Sequence, residues 1–229
     1  MMSSSTAPPS RELDDAQLAD AAAAAMSRVR GRTVRVIGLH RLDGGSARNA
    51  VARATARADD GTARSVIVKA TLTADHDPTA PDVLKTSGFA REWMALTLLD
   101  RRITGSSGRA RLLAADAETG LLVLDDLGGK GSTLVGPLTG RDASTAATAL
   151  LGLADALGTL HAKTTGCSGE YARIARETLP HATVDRPSSS LPTFQRLAGT
   201  LVDRLGGTFD AAELAAVAVS GTTPVPGRY

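Results

Sequence analysis

The sequence predicts an α+β protein in which an antiparallel sheet with helices precedes a mainly helical part. Up to residue 127 the segments read helix, three strands, helix and two strands. A glycine-rich stretch then gives way to a helical pattern from residue 141 onward. At 229 residues and 42% hydrophobic, the chain can bury a sizeable core. We therefore expect a disordered tail (1–10), a sheet lobe (11–124), a linker (125–131) and a helical lobe (132–229).

Composition and charge exclude several classes of protein. The net charge is only +2, 22 of the 26 basic residues are arginine, and aromatic residues make up 3%. Such a chain offers few rings for stacking bases, so we expect no nucleic-acid partner. The apolar stretch Ala21–Met26 is far too short to cross a bilayer, and we expect a cytoplasmic protein with no membrane partner. Cys167 is the single cysteine, which excludes an internal disulfide.

The first elements follow from helix-end signals and strand alternation. Residues 11–30 have acidic residues early, arginines late and Gly31 just beyond, so they predict a helix with Ser10 as its N-cap. Three alternating segments then predict strands at 33–42, 49–58 and 63–72. Asp59-Asp60-Gly61 predicts a hairpin turn between the second and the third of these strands.

Later elements include a helix at 88–102, where Phe89, Trp93 and Leu96 recur at helical spacing. Two strands, 110–117 and 120–127, flank the turn at 118–120. Beyond the linker, helical patterns run over four segments: 143–164, 169–179, 191–205 and 210–219.

Three features together indicate a site for a phosphorylated ligand. Two glycines, Gly44 and Gly45, open a loop whose backbone N–H groups can approach an anion, although an ordinary hairpin turn explains them equally well. Lys69 lies in the third strand on the face of Ile67 and Thr71, where a surface lysine is the simple alternative. Glu92 follows on the next helix. A triphosphate needs backbone donors over it and a cation beside it, and a flexible lysine needs an acid to hold it.

The stretches GGSARNAV, VIVKA, FAREWMALTLL, GLLVLDDLG and LADALGTLHAKT resemble the aminoglycoside phosphotransferase and choline kinase branch of the protein-kinase-like fold. The resemblance covers residues 33–165. It implies a nucleotide-binding lobe, built on a five-stranded antiparallel sheet with one key helix, followed by an incomplete, mainly helical lobe. It also implies ATP or GTP as the ligand.

The resemblance assigns roles to particular residues. It implies that Lys69 contacts the α- and β-phosphates and that Glu92 is its ion-pair partner. Val123 would be the gatekeeper, and the Leu124 carbonyl and the Asp126 N–H would hydrogen-bond the adenine edge. The phosphate-covering loop would consist of Gly44, Gly45, Ser46, Arg48 and Asn49, and the apolar walls of Val51, Leu124 and either Val66 or Ile67.

The sequence also departs from the family pattern. Family members carry a catalytic His-Gly-Asp loop and a later metal-binding Asp, and neither motif is present. His76-Asp77-Pro78 lies too early to replace the loop. We therefore assign no catalytic or metal-binding residues, expect Mg²⁺ only in a complete enzyme, and expect the chain to be an inactive N-terminal portion of a kinase.

Three functions stay open at this stage. The chain is a portion of a small-molecule phosphotransferase, a pseudokinase-like nucleotide-binding or scaffold module, or a helical regulatory protein with an accidental likeness. The acceptor is open among sugars, aminoglycosides, choline-like alcohols and homoserine. We also expect the helical lobe to expose apolar faces and to self-associate through them.

Overall fold

A computed structural model of the chain describes residues 13–42, 49–72, 76–103, 109–128 and 134–184. The chain divides into two compact units, 1–184 and 185–229, and all described residues belong to the first. The predicted tail at 1–10 and the predicted helices at 191–205 and 210–219 lie outside the described residues. The elements are α1 Asp15–Arg30, β1 Val34–Arg41, β2 Asn49–Ala58, β3 Ala63–Thr71, α2 Val83–Thr86, α3 Gly88–Arg102, β4 Leu112–Asp116, β5 Leu121–Asp125, α4 Val135–Thr139, α5 Ala143–Thr164 and α6 Ser168–Thr178.

The five strands form one sheet in the order β1-β2-β3-β5-β4, and every neighbouring pair is antiparallel. The predicted α+β class with a five-stranded antiparallel sheet is therefore confirmed. The hairpin between β2 and β3 turns at Gly61, whose φ of 82° favours glycine. β1 carries an irregularity between Val36 and Gly38. The strands match the predicted segments closely because strict alternation marks them in the sequence.

Helix α1 begins four residues later than the sequence indicated. Its N-cap is Asp14, not Ser10: the Asp14 side chain accepts a hydrogen bond from the Gln17 N–H, and the Gln17 side chain accepts one from the Asp14 N–H. This reciprocal pair satisfies two backbone donors at the helix start, so it fixes the first turn. Gly31 ends the helix as expected, with a φ of 62°.

One face of the sheet packs against α1. The helix presents Leu18, Ala22, Ala25 and Met26, which are at most 1% exposed. On the strands, the alternate residues that face α1 are mostly alanine and valine, which lets the helix approach closely. They include Ala52, Ala54 and Ala56 of β2, Val66, Val68 and Ala70 of β3, and Leu121 and Val123 of β5.

The other face of the sheet is covered only in part, by α3 and the helices near it. Phe89 and Met94 of α3 pack with Leu122 of β5 and with Ile174 of α6. Helix α3 begins and ends where the sequence predicted, with the Ser87 side chain accepting a hydrogen bond from the Ala90 N–H at its start. Because α6 packs on α3, this compact unit continues past the linker predicted at 125–131.

Helix α5 differs from the other long helices because none of its residues is buried. Leu150, Leu153 and Leu157, which recur at helical spacing along α5, are 48%, 38% and 44% exposed. By length and composition alone, α5 is also the one described helix that could cross a membrane, and such a single helix is weak evidence for a span. Self-association through this surface stays a prediction.

Candidate functional site

Lys69 and Glu92 form an ion pair between the sheet and α3. Lys69 lies in β3, and its ammonium donates a hydrogen bond to the Glu92 carboxylate. Their side chains are 27% and 34% exposed, so the pair is accessible to a ligand from solvent. The ion pair that the sequence predicted is confirmed. A lysine held in this way presents a positioned ammonium rather than a freely moving one.

The strand register shows which side chains lie beside this pair. Val51 of β2 and Leu122 of β5 are the cross-strand partners of Lys69, and they share its face of the sheet. The next row on the same face consists of Arg53, Ile67 and Leu124. We call these two rows the Lys69 face. Of the two wall residues that the sequence left open, Ile67 therefore lies on the Lys69 face, while Val66 lies in the core beneath α1.

Val123 does not lie on the Lys69 face. It is fully buried in the core beneath α1, directly opposite Val68. Because successive residues of a strand point to opposite faces, Leu122 and Leu124 carry the side chains that lie near Lys69. The side chain of Val123, the assigned gatekeeper, therefore lies on the face of the sheet opposite to that of Lys69.

The fifth strand is shorter than the sequence indicated, since β5 ends at Asp125 and the predicted strand ran to residue 127. Leu124 lies within β5, paired with Ile67 on one side and Leu112 on the other. The Asp125 N–H still donates to the Arg111 carbonyl, at 2.9 Å. The segment beyond the sheet thus begins at Asp126, one residue later than the predicted linker.

Asp126 uses its carboxylate in a way that the sequence did not reveal. The side chain is only 7% exposed and accepts hydrogen bonds from Arg53 Nε at 2.7 Å, Ser65 Oγ at 2.5 Å and the Gly128 N–H at 3.0 Å. The hydrogen bond from Arg53 is the main reason that the pKa of this carboxyl lies below its ordinary value, with Ser65 adding to it. The group is therefore a buried anion with three donors around it.

Four of the predicted phosphate-loop residues, Gly44, Gly45, Ser46 and Arg48, lie outside the described residues. The fifth, Asn49, begins β2 opposite Thr71. Leu42, just before that segment, donates its N–H to the Val51 carbonyl at 2.8 Å. The described flanks of the segment therefore lie at the end of β1 and β2 that is nearest to Lys69.

His76, which the sequence excluded as a catalytic residue, has a packing role. Its ring contacts Phe89 edge-on with centroids 5.2 Å apart, and Nε2 lies 2.6 Å from the Ala117 carbonyl. Among the residues that the structure describes, no three His, Cys, Asp or Glu side chains lie close enough together to hold a metal ion. The Mg²⁺ that the resemblance implies therefore finds no cluster of protein ligands in this part of the chain.

Sequence reasoning missed Arg53 and Ser65 because each reads as a polar residue on an alternating strand. Only the register of β2, β3 and β5 brings them to Asp126. In comparisons with known proteins, no family model, curated protein or solved structure matches the chain.

Proposed function

We propose that this chain binds a purine nucleoside triphosphate, as the nucleotide-binding part of a small-molecule phosphotransferase of the aminoglycoside phosphotransferase type. The observation that carries the proposal is the ion pair of Lys69 and Glu92 on a partly open face of a five-stranded antiparallel sheet. The protein-kinase-like arrangement of the chain is part of the same proposal.

The chemistry of the site supports this ligand. A triphosphate carries several negative charges and needs a positioned cation with free hydrogen-bond donors. Lys69 has three N–H donors, of which one contacts Glu92. On the same face, Val51, Ile67 and Leu124 provide an apolar surface against which a nucleobase can pack.

A second candidate is a non-catalytic, pseudokinase-like nucleotide-binding module. The observation that favours it is the absence of any His-Gly-Asp sequence among the 229 residues. A general base must reach the acceptor hydroxyl for phosphoryl transfer to begin, and neither candidate assigns such a base to this chain. Both therefore predict nucleotide binding without phosphoryl transfer to a sugar, an aminoglycoside, a choline-like alcohol or homoserine by this chain alone.

The test is binding of Mg²⁺–ATP and Mg²⁺–GTP to the full chain, measured by titration calorimetry. We expect Lys69→Ala to weaken binding by roughly tenfold to a hundredfold, the usual cost of losing a hydrogen bond to a charged group. Binding should not vanish, because base contacts remain. Lys163→Ala is the matched control, since Lys163 is an exposed lysine on α5, away from the sheet.

Two results would contradict the proposal. If the unmodified chain binds neither nucleotide, nucleotide binding is not its function. If Lys69→Ala and Lys163→Ala bind with the same affinity as the unmodified chain, Lys69 does not belong to the site.

A further inference from the structure

The side chain of Arg53 crosses the Lys69 face of the sheet. Arg53 lies on β2, yet its Nε and Nη2 atoms contact the Asp126 carboxylate, at 2.7 and 3.3 Å, beyond the end of β5. Ser65 of β3, the strand between them, donates to the same carboxylate. The Arg53 side chain therefore reaches across β3, and its guanidinium is held at the end of the sheet where the chain leaves β5.

Asp126 is a strong anchor for this arginine. Its carboxylate is 7% exposed, while the Arg53 side chain is 39% exposed. A nearly buried carboxylate that accepts two bonds from one guanidinium restrains both the position and the plane of that group. The exposed part of Arg53 is thus restrained in advance rather than free to move.

The restrained guanidinium has unused capacity for a ligand. A guanidinium carries five N–H donors, and among the described residues the only acceptor for Arg53 is Asp126. Guanidinium groups also stack on aromatic rings and attract them through the ring quadrupole. The chemistry that fits is a flat, electron-rich ring with acceptor atoms at its edge, which describes a nucleobase.

The position of Arg53 fits contact with a nucleobase if the phosphates of the nucleotide lie beside Lys69. Arg53, Ile67 and Leu124 form the row next to that of Lys69, about 7 Å further along the strands toward Asp126. A nucleotide with its phosphates at Lys69 and its base toward the linker would bring the base to this row.

We infer that Arg53, held by Asp126, contacts the nucleobase and is a binding residue of the nucleotide site. This inference rests on the proposed function, since it assigns one end of the same ligand. It adds a role for the Asp126 side chain, which would position Arg53 from behind the site, to the predicted role of the Asp126 N–H at the adenine edge.

A second arginine–aspartate pair provides a matched control. Arg64 of β3 contacts Asp125, the residue next to Asp126. Arg64 lies opposite Ala56 and Asp125 opposite Val66, both residues of the α1 core, so this pair lies on the opposite face of the sheet. Arg64 is 36% exposed against 39% for Arg53, so the two guanidinium groups have similar access to solvent, while Asp125 is 22% exposed against 7% for Asp126.

The experiment measures binding of Mg²⁺–ATP and of inorganic tripolyphosphate to the full chain and to three variants, Arg53→Met, Arg53→Lys and Arg64→Met. Thermal unfolding confirms that each variant is folded. We expect Arg53→Met to weaken ATP binding by roughly 3- to 30-fold, the range of a ring–cation contact, and to leave tripolyphosphate binding unchanged. Arg53→Lys should weaken ATP binding too, because a lysine keeps the charge but not the planar group. Arg64→Met should bind both ligands like the unmodified chain.

The remaining outcomes separate the inference from the proposed function. If the unmodified chain binds ATP but Arg53→Met binds it equally well, or no worse than Arg64→Met, the inference is wrong and the function stands. The same holds if Arg53→Met weakens tripolyphosphate as much as ATP, which would place Arg53 at the phosphates. If the unmodified chain binds neither ligand, both are wrong.

Discussion

The two faces of the sheet are built from the same five strands but differ in nearly every other respect. The face beneath α1 is closed: alanine, valine and leucine side chains fill it, and α1 covers it. The Lys69 face carries a lysine, an arginine and a serine among its apolar residues, and α3 covers only part of it. One face is thus a closed apolar core, whereas the other combines an apolar core with charged side chains that solvent can reach.

Each face also has ion pairs, and their surroundings differ. On the α1 side, Arg28 contacts Asp116 at the end of β4, with the arginine 57% exposed. On the other side, Lys69 and Glu92 are both more than half buried. An exposed pair loses most of its attraction to water and salt, whereas a partly buried one retains more of it. Of these two cations, the Lys69 ammonium, on a side chain that is 27% exposed against 57% for Arg28, is the less solvated one.

The largest predicted effect comes from removing one buried leucine on each face. Leu18 of α1 and Leu122 of β5 are 0% and 1% exposed. We expect Leu18→Ala and Leu122→Ala each to lower the free energy of unfolding by about 2–5 kcal/mol, because each leaves a cavity. Urea unfolding measures this effect.

The same two variants should differ in binding. Leu122 is the direct cross-strand partner of Lys69, so Leu122→Ala should also weaken Mg²⁺–ATP binding, while Leu18→Ala should not. Equal affinities for the two folded variants would mean that the two faces do not divide stability from ligand binding.

A smaller effect on stability is predicted for Glu92→Gln. The pair with Lys69 is about a third exposed, so its loss should change the free energy of unfolding by about 1 kcal/mol or less. ATP affinity should nevertheless fall, because the Lys69 ammonium is no longer held in place. Arg28→Gln, which breaks the pair on the other side of the sheet, should have a similarly small effect on stability and none on binding. A loss of affinity in both variants would instead point to a general change in the sheet.

Most of the sheet is predictable from the sequence because its central strands β2 and β3 alternate between buried and more exposed residues. The pattern of β2, with alanine at every second position, predicts both the bounds of the strand and its buried face. The ion pair of Lys69 with Glu92 is also predictable, because each residue lies in a well-defined element. Alternation of this kind predicts which residues face the core as well as where the strand begins and ends.

The register of β5 is not predictable in the same way. The run from Leu121 to Leu124 is apolar on both faces, so it gives no signal for which residue faces Lys69. For this reason the sequence gives no check on the gatekeeper role that the resemblance implies for Val123, a residue that lies in the core beneath α1. Arg53 and Asp126 are 73 residues apart, and nothing local in either segment indicates their contact. Similarly, the sequence predicts α5 as a helix, but which of its residues are covered depends on tertiary partners.

The smallest predicted effect is a pH dependence confined to the Lys69 face. The hydrogen bond from Arg53 lowers the pKa of Asp126 relative to the unfolded chain, so this carboxylate stabilises the fold above its unfolded pKa, near 4. The contribution disappears as the pH falls through the lower, folded pKa. The difference in stability between the unmodified chain and Arg53→Met should therefore be constant from about pH 5 to pH 8 and should shrink below about pH 4. Urea unfolding at several pH values, together with NMR titration of the Asp126 carboxyl carbon, measures both sides of this linkage. In Arg53→Met the carboxyl should titrate at a higher pH than in the unmodified chain. An unchanged midpoint would mean that Ser65 and the Gly128 N–H hold the carboxylate without Arg53, and that the predicted pH dependence does not come from the Arg53–Asp126 pair.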